Sequence, residues 1–418
     1  MIARRIVGWG RAPAGLLVCL LPLSCRGGAP ERPSAYDADL ARLERLIAAA
    51  RGSPSLPGEA AGDLALLLGE RSALTGDPLH ARAAAAALDE ALARSGPAPR
   101  LVLARAELDL RYHRLPEARR ALDRLSALAA RPAVRALRAD VALQEGRYAE
   151  AGRAYRENLD RRRTWDALAR LAHLEALRGD AAAADRLYAE AADELTAKQM
   201  RALAWLELQR GRLHLERGRP GEARARYERA GRAYSGYWLV DEHRAELLRA
   251  EGRFAEAAAL YRELVARTPK PEWQQALGDV HVSLGEPARA APWHERALAG
   301  YLDSARRGEV HYLHHLAAFY ADVRGDGEEA LEWARRDLEL RPGVPALEGV
   351  AWALYRAGRV GEARRAIRRA LAPGLQDAHL LSRAGLIHLA DGRGEEGERL
   401  LARAAALNPR YSGGHAHP

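Results

Sequence analysis

The sequence predicts an all-α solenoid of stacked helical hairpins, and three observations carry that reading. The first is composition. Ala, Leu, Arg and Glu dominate the 418 residues, only two phenylalanines occur, and Val and Ile are scarce. That mixture favours helix and suits strands poorly. The second is a spaced glycine. Taking Gly146 as a marker, Gly179, Gly218, Gly252, Gly285, Gly325, Gly358 and Gly392 follow at steps of 33, 39, 34, 33, 40, 33 and 34, and one step of 33 back from Gly146 falls on His113. A period in this range is the signature of a repeat architecture. The third is a pair of small-residue positions. Ala or Gly stands seven residues before all nine markers, from Ala106 to Gly385, and again five residues after them, from Ala118 to Gly397. Small residues are needed there because two helix backbones cross too closely for a larger Cβ substituent.

In chain order, residues 1–25 read as a signal peptide. Arg4, Arg5 and Arg11 precede the apolar stretch APAGLLVCLLPLS and then Cys25, a stretch too short for a membrane span and shaped like a secretory signal. The segment LPLSC resembles the lipobox of bacterial lipoproteins, with Ser24 at the small position and Pro22 where that family usually has Leu. The resemblance implies lipidation of Cys25 and export to a membrane-anchored, periplasm-facing site in the cell envelope. An uncleaved anchor and plain secretion are the alternatives. Cys19 is the only other cysteine, so the mature body has no disulfide, thiolate metal site or cysteine nucleophile. Residues 26–35 follow as a flexible tether. Residues 36–97 hold diverged helical repeats, with Asp77-Pro78 as a helix start and SGPAP at 95–99 as a break. The array proper covers 98–411, and 412–418 form a disordered histidine-containing tail.

Within the array each marker glycine ends a first helix, because Gly accepts the left-handed conformation at a helix C-terminus. Four residues later seven of the nine units carry Glu, from Glu117 to Glu396, an acid that interacts well with the positive end of a second helix. Pro220 and Pro287 mark helix starts. These features resemble the tetratricopeptide repeat, a hairpin of about 34 residues with small residues at its eighth and twentieth positions. Its aromatic at position 24 appears as Tyr155, Tyr188, Tyr227 and Tyr261 and lapses to His294, Ala334, Ile367 and Leu401. Its tryptophan at position 4 is absent. The resemblance implies a right-handed superhelix of about nine to eleven hairpins whose first helices line a concave wall.

Offsets −13, −10, −6 and −3 from the marker form one helical stripe and supply the predicted partner surface: Trp205, Arg212, Glu242, Glu246, Glu272, Gln275, Asp279, His315, Phe319, Trp352 and Tyr355. The stripe holds eight acids (Asp140, Asp166, Glu242, Glu246, Glu272, Asp279, Asp322 and Glu348) against Arg212 and Arg249. It therefore suits a protein or peptide segment that is neutral to basic. The net charge of +9 is nearly all arginine interleaved with glutamate along helix faces, a solvated surface rather than a nucleic-acid footprint. An RNA-binding solenoid is a rival that the export signal opposes.

The segment HYLHHL places His311 and His315 four apart on one helix face, beside His314, a spacing that can chelate zinc or copper. A metal-handling or chaperone role built on this cluster is the other rival. His214, His281 and His388 share one repeat position, where they substitute for a packing ring. No phosphate-binding glycine loop, nucleophile elbow or kinase set is present. The expectation is a non-catalytic interaction scaffold without a cofactor.

Overall fold

The computed structural model describes residues 33–52 and 57–411. The signal peptide with Cys25, most of the tether and the tail at 412–418 lie outside the described residues. The unit that begins at Ser34 is helical throughout, with no strand among its described residues. Helices α1 (Ala35–Gly52), α2 (Pro57–Thr75) and α3 (Pro78–Ser95) precede a series of helix pairs. These are α4 (Pro99–Arg111) with α5 (Leu115–Asp123), α6 (Pro132–Gln144) with α7 (Tyr148–Arg161), and α8 (Trp165–Arg178) with α9 (Ala181–Asp193). Next come α10 (Met200–Glu216) with α11 (Pro220–Ala233), α12 (Trp238–Ala250) with α13 (Phe254–Arg267), and α14 (Pro271–Ser283) with α15 (Pro287–Arg306). The last are α16 (Leu313–Phe319) with α17 (Gly327–Leu340), α18 (Val344–Arg356) with α19 (Val360–Leu371), and α20 (Ala378–Ala390) with α21 (Gly394–Leu407). No helix among the described residues is long and apolar enough to cross a membrane.

All eight marker glycines have positive φ, between +67° and +95°, and His113 at +60° is the one non-glycine among the described residues that does. The sequence period therefore locates the left-handed residue that closes each first helix. Asp77 caps α3 by accepting from the Leu79 amide, and the break at 95–99 separates α3 from α4. The glutamates four past the markers stand in the first turn of the second helices, as at Glu117, Glu256 and Glu362.

The small positions face neighbouring backbones. Ala106, Ala172, Ala245 and Ala351 before the turn, and Ala118, Ala184, Ala257 and Ala363 after it, are all 0% exposed. Where glycine takes the place of alanine, the second helix uses the space. A Cβ on Gly278 would overlap the His294 ring, and Gly385 and Gly397 each approach the other's carbonyl oxygen. One position departs from the pattern. Ala318 is half-buried, while Ala317 and Ala321 are in the core. The cause is a π-helical turn at Tyr320–Arg324, whose extra residue rotates everything before it by about 100°.

The core is built from apolar clusters that reach across neighbouring pairs. Leu168 and Ala172 of α8, Tyr188 of α9 and Leu206 of α10 form one cluster, for example. Each buried leucine or tyrosine of this kind contributes about 1.5–3 kcal/mol by leaving water, but only because a neighbouring hairpin covers it.

Candidate functional site

The inner wall is built from the first helix of each pair. Trp205 of α10 packs edge-to-face on Trp165 at 6.5 Å and stays half-buried. Trp352 and Tyr355 of α18 stack with centroids 5.0 Å apart. The Trp352 Nε1–H donates to Asp322 at 2.8 Å, and the Arg383 guanidinium lies 4.5 Å above the Trp352 ring. All three rings stay half-buried, and the polar edge of Trp352 is satisfied, as an anchor for a partner requires.

Two predicted wall residues are not on the wall. Phe319 is 0% exposed and sits among Tyr301, Tyr312 and Leu316, because the π turn after it rotates its helix inward. Gln275 is 2% exposed and accepts the Tyr301 hydroxyl at 2.9 Å. Neither reaches a partner.

The acids are also less bare than the stripe suggested. Asp140 accepts from Arg170 Nε at 3.0 and 3.1 Å and from the Tyr155 hydroxyl at 2.8 Å, and Arg170 also reaches Asp166. Glu348 pairs with Arg383 at 2.8 Å and His379 at 3.2 Å, and Arg383 bridges on to Asp322. Burial opposes the charge of Glu348, yet Arg383 and His379 outweigh it and hold the carboxyl down at about 2. Glu242 accepts from Trp273 Nε1 at 2.7 Å; burial raises its pKa, against the pull of Lys270. Glu246 meets His243 at 2.8 Å, and Asp279 meets His294 at 2.9 Å. Glu272 lies near Tyr312, whose hydroxyl is raised by burial and then by that carboxylate.

Arg170, His243 and Arg383 all stand nine residues before their markers. Offsets −13, −9 and −6 are spaced four and three, so this position shares the inner stripe. The sequence held that signal in the same periodicity, and reading −10 instead of −9 missed the counter-charges.

Glu216 stands two residues before Gly218, at the end of α10. It pairs with Arg212 at 3.3 Å and keeps 45% of its side-chain surface, yet burial pushes its carboxyl up.

The histidines are packing groups. His311 lies 5.0 Å from Tyr112 and stacks on His113 at 5.3 Å. His314 meets His113 at 5.6 Å and His315 at 4.1 Å, and His315 stacks on Tyr301 at 5.5 Å. Burial pushes His311 down to about 4 and His113 and His314 well below the ordinary value, so these rings are neutral near pH 7. Among the described residues no three His, Cys, Asp or Glu side chains are placed to hold a metal ion. His281 and His388 bond to Glu286 and to the Ala384 carbonyl, both at 2.8 Å.

The contact of His113 with His311 belongs to a seam that sequence reading did not reveal. The turns of the early pairs touch the links between later pairs, with partners 193 and 196 residues apart in two of the contacts and 164 apart where α2 meets α12. The Val344 amide donates to the Tyr148 hydroxyl at 3.2 Å, 196 residues away. The Gln376 amide donates to the Leu177 carbonyl at 3.0 Å, Asn408 Nδ2 to the Leu215 carbonyl at 3.5 Å, and Trp238 Nε1 to the Leu74 carbonyl at 2.9 Å. A Cβ on Gly146 would stand 3.1 Å from Gly343 Cα, and one on Gly343 would stand 2.7 Å from the Gln144 carbonyl oxygen. Each turn of the superhelix rests on the one before.

A family model described as tetratricopeptide repeat matches residues 208–272, 244–305 and 350–412. Among solved structures, the chain is similar to one titled as the APC/C hetero-tetramer Cut9–Hcn1, at 16% identity and TM-score 0.42 over 90% of this chain and 80% of that one. It is also similar to a tetratricopeptide repeat protein from Parabacteroides merdae, at 19% identity and TM-score 0.36 over 58% and 93% of the two chains. Yeast Tom70 matches at 13% identity and TM-score 0.39 over 89% and 92%. No curated protein matches the sequence.

Proposed function

Because the chain carries tetratricopeptide repeats, we propose that it is a non-catalytic adaptor of a bacterial cell envelope that holds a partner protein segment against its inner wall. The observation that carries this reading is the half-buried aromatic pair Trp352–Tyr355, beside charged groups that are already compensated, together with the half-buried Trp205. Such rings supply apolar contact area, and the neighbouring ion pairs need no partner charge to complete them. The partner segment is neutral to weakly basic, with apolar side chains that seat on the rings. Cys25 after LPLS supports attachment to a membrane by a lipid, and residues 26–35 give the body reach from that surface.

Photocrosslinking in intact cells tests the wall. A crosslinker at Trp205 or Trp352 is expected to capture one and the same polypeptide, and a crosslinker at Arg368 on the outer face is not. Equal capture from all three positions would refute an inner-wall site. Labelling with radioactive palmitate is expected to mark the protein, and Cys25→Ala to abolish the label; a labelled Cys25→Ala protein would remove the anchor.

A further inference from the structure

The turn between α4 and α5 meets the segment that opens α16 through a cluster of imidazoles. His113 stacks on His311 at 5.3 Å and meets His314 edge-on at 5.6 Å, while Tyr112 lies 5.0 Å from His311. His314 extends the cluster to His315 at 4.1 Å. His113 belongs to one turn of the superhelix and the other three rings to the next. Elsewhere the seam is apolar. Helices α1–α4 share a core with α10–α12, and Tyr148 and Leu177 enter the core of the later pairs. At His113 the contact is imidazole on imidazole, with the ion pair of Arg82 and Glu309 at 3.1 Å joining the same two turns.

The cluster is built for neutral rings. Nδ1 of His311 and Nδ1 of His314 are buried without a hydrogen-bond partner among the described residues, and His113 Nδ1 lies 3.2 Å from Gln144 Oε1. An imidazolium needs acceptors for both of its N–H groups. The charged groups that face the rings are Arg341, Lys270, Glu272 and Glu309. Arg341 is paired with Asp337 at 2.8 Å, and Lys270 lies over the Trp238 and Trp273 rings. Glu309 is held by Arg82 and by the Ser304 hydroxyl at 2.7 Å, and Glu272 stands beside Tyr312. The remaining titratable neighbours are Tyr112, Tyr301 and Tyr312, whose hydroxyls burial pushes up, so they carry no charge at neutral or acid pH. A proton on the cluster thus places charge near Arg341 and Lys270 in a contact closed to water. A second proton adds repulsion between two imidazoliums.

We propose that His113, His311 and His314 form an acid-operated latch: once protonated, their rings repel across the seam, and the α4–α5 turn parts from α16 while the apolar contacts elsewhere keep the two turns of the superhelix together. The proposal does not rest on the adaptor reading. Burial holds His311 at about 4 in the closed latch against an ordinary 6.5, and His113 and His314 well below that ordinary value. The parted form therefore binds more protons. The latch is fully closed above pH 6.5 and weakens as the pH falls towards 4. From His311 alone, the equilibrium shifts towards the parted form about 30-fold between about pH 7.5 and pH 5.

The test is hydrogen exchange of the full chain, read by mass spectrometry and corrected for the pH dependence of the exchange chemistry. Between pH 7.5 and pH 5 the amides of 110–116 and 309–316 are expected to lose protection together, by about tenfold or more, while α8 and α18 keep theirs. His311→Asn with His314→Gln removes two of the titrating rings. In that variant both segments are expected to stay protected at pH 7.5 and to lose most of their acid response. Unchanged protection of the two wild-type segments at pH 5 overturns the proposal, whether or not the double variant folds. So does a loss spread evenly over all helices, or the full acid response in a folded double variant.

Discussion

Gly211→Ala adds one methyl group to α10, and the new Cβ would stand 2.5 Å from Cδ1 of Tyr227 and closer still to Cε1. Tyr227 is 1% exposed, and its far face stacks on His243 at 5.5 Å, so the ring has nowhere to retreat. Overpacking of this kind costs about 1–3 kcal/mol. Alanine recovers about 1 kcal/mol over glycine in a helix, so an overlap this large leaves a net loss of about 2 kcal/mol. The same substitution at Gly349 in α18 meets nothing within 4 Å, and Gly349→Ala is expected to gain about 0.4–1 kcal/mol. Urea unfolding followed by circular dichroism gives both signs from one assay. In Gly211→Ala/Tyr227→Ala the added methyl enters the space left by the ring, so the double variant is expected to lose less than the sum of the single losses. A neutral Gly211→Ala, or strict additivity in the double variant, would mean that the small positions do not set the distance between helices.

Three further outcomes follow from the geometry. Glu348 has a folded value of about 2 against an ordinary 4.5, so its stabilisation is full above pH 4.5 and disappears as the pH falls towards 2. At ~1.4 kcal/mol per pH unit the contribution reaches at most about 3.5 kcal/mol, and Glu348→Gln is expected to flatten the acid limb of the stability profile. Phe319→Ala is expected to lose about 3–5 kcal/mol by opening a core cavity, measured by the shift in thermal midpoint; a loss below 1 kcal/mol would return Phe319 to the surface. Gly343→Ala drives a methyl against the Gln144 carbonyl, and hydrogen exchange is expected to speed up together at 142–148 and 342–346 while distant helices keep their protection.

Much of the fold was legible because the repeat writes local chemistry at fixed spacing. A left-handed residue must end each first helix, so the period that located Gly146 also located His113, whose side chain gave no other hint. The small positions followed from backbone proximity and were readable for the same reason. The π turn at Tyr320–Arg324 escaped. Its only trace was a step of 40 instead of 33, which α15, a 20-residue helix, shares; one displaced residue was enough to send Phe319 from the wall to the core. The counter-charges at offset −9 lay on the same helical stripe as the acids, but which of two adjacent offsets faces inward depends on how each pair is tilted. The seam could not be read at all. It depends on the small rotation between successive hairpins, accumulated over six of them, and no local pattern encodes that sum.

A coil whose turns touch has unequal stiffness along its axis. Compression meets packed backbone at Gly146 and Gly343 and is resisted at once. Tension must part the polar contacts of Tyr148, Leu177 and Leu215 and also the apolar core that α1–α4 share with α10–α12.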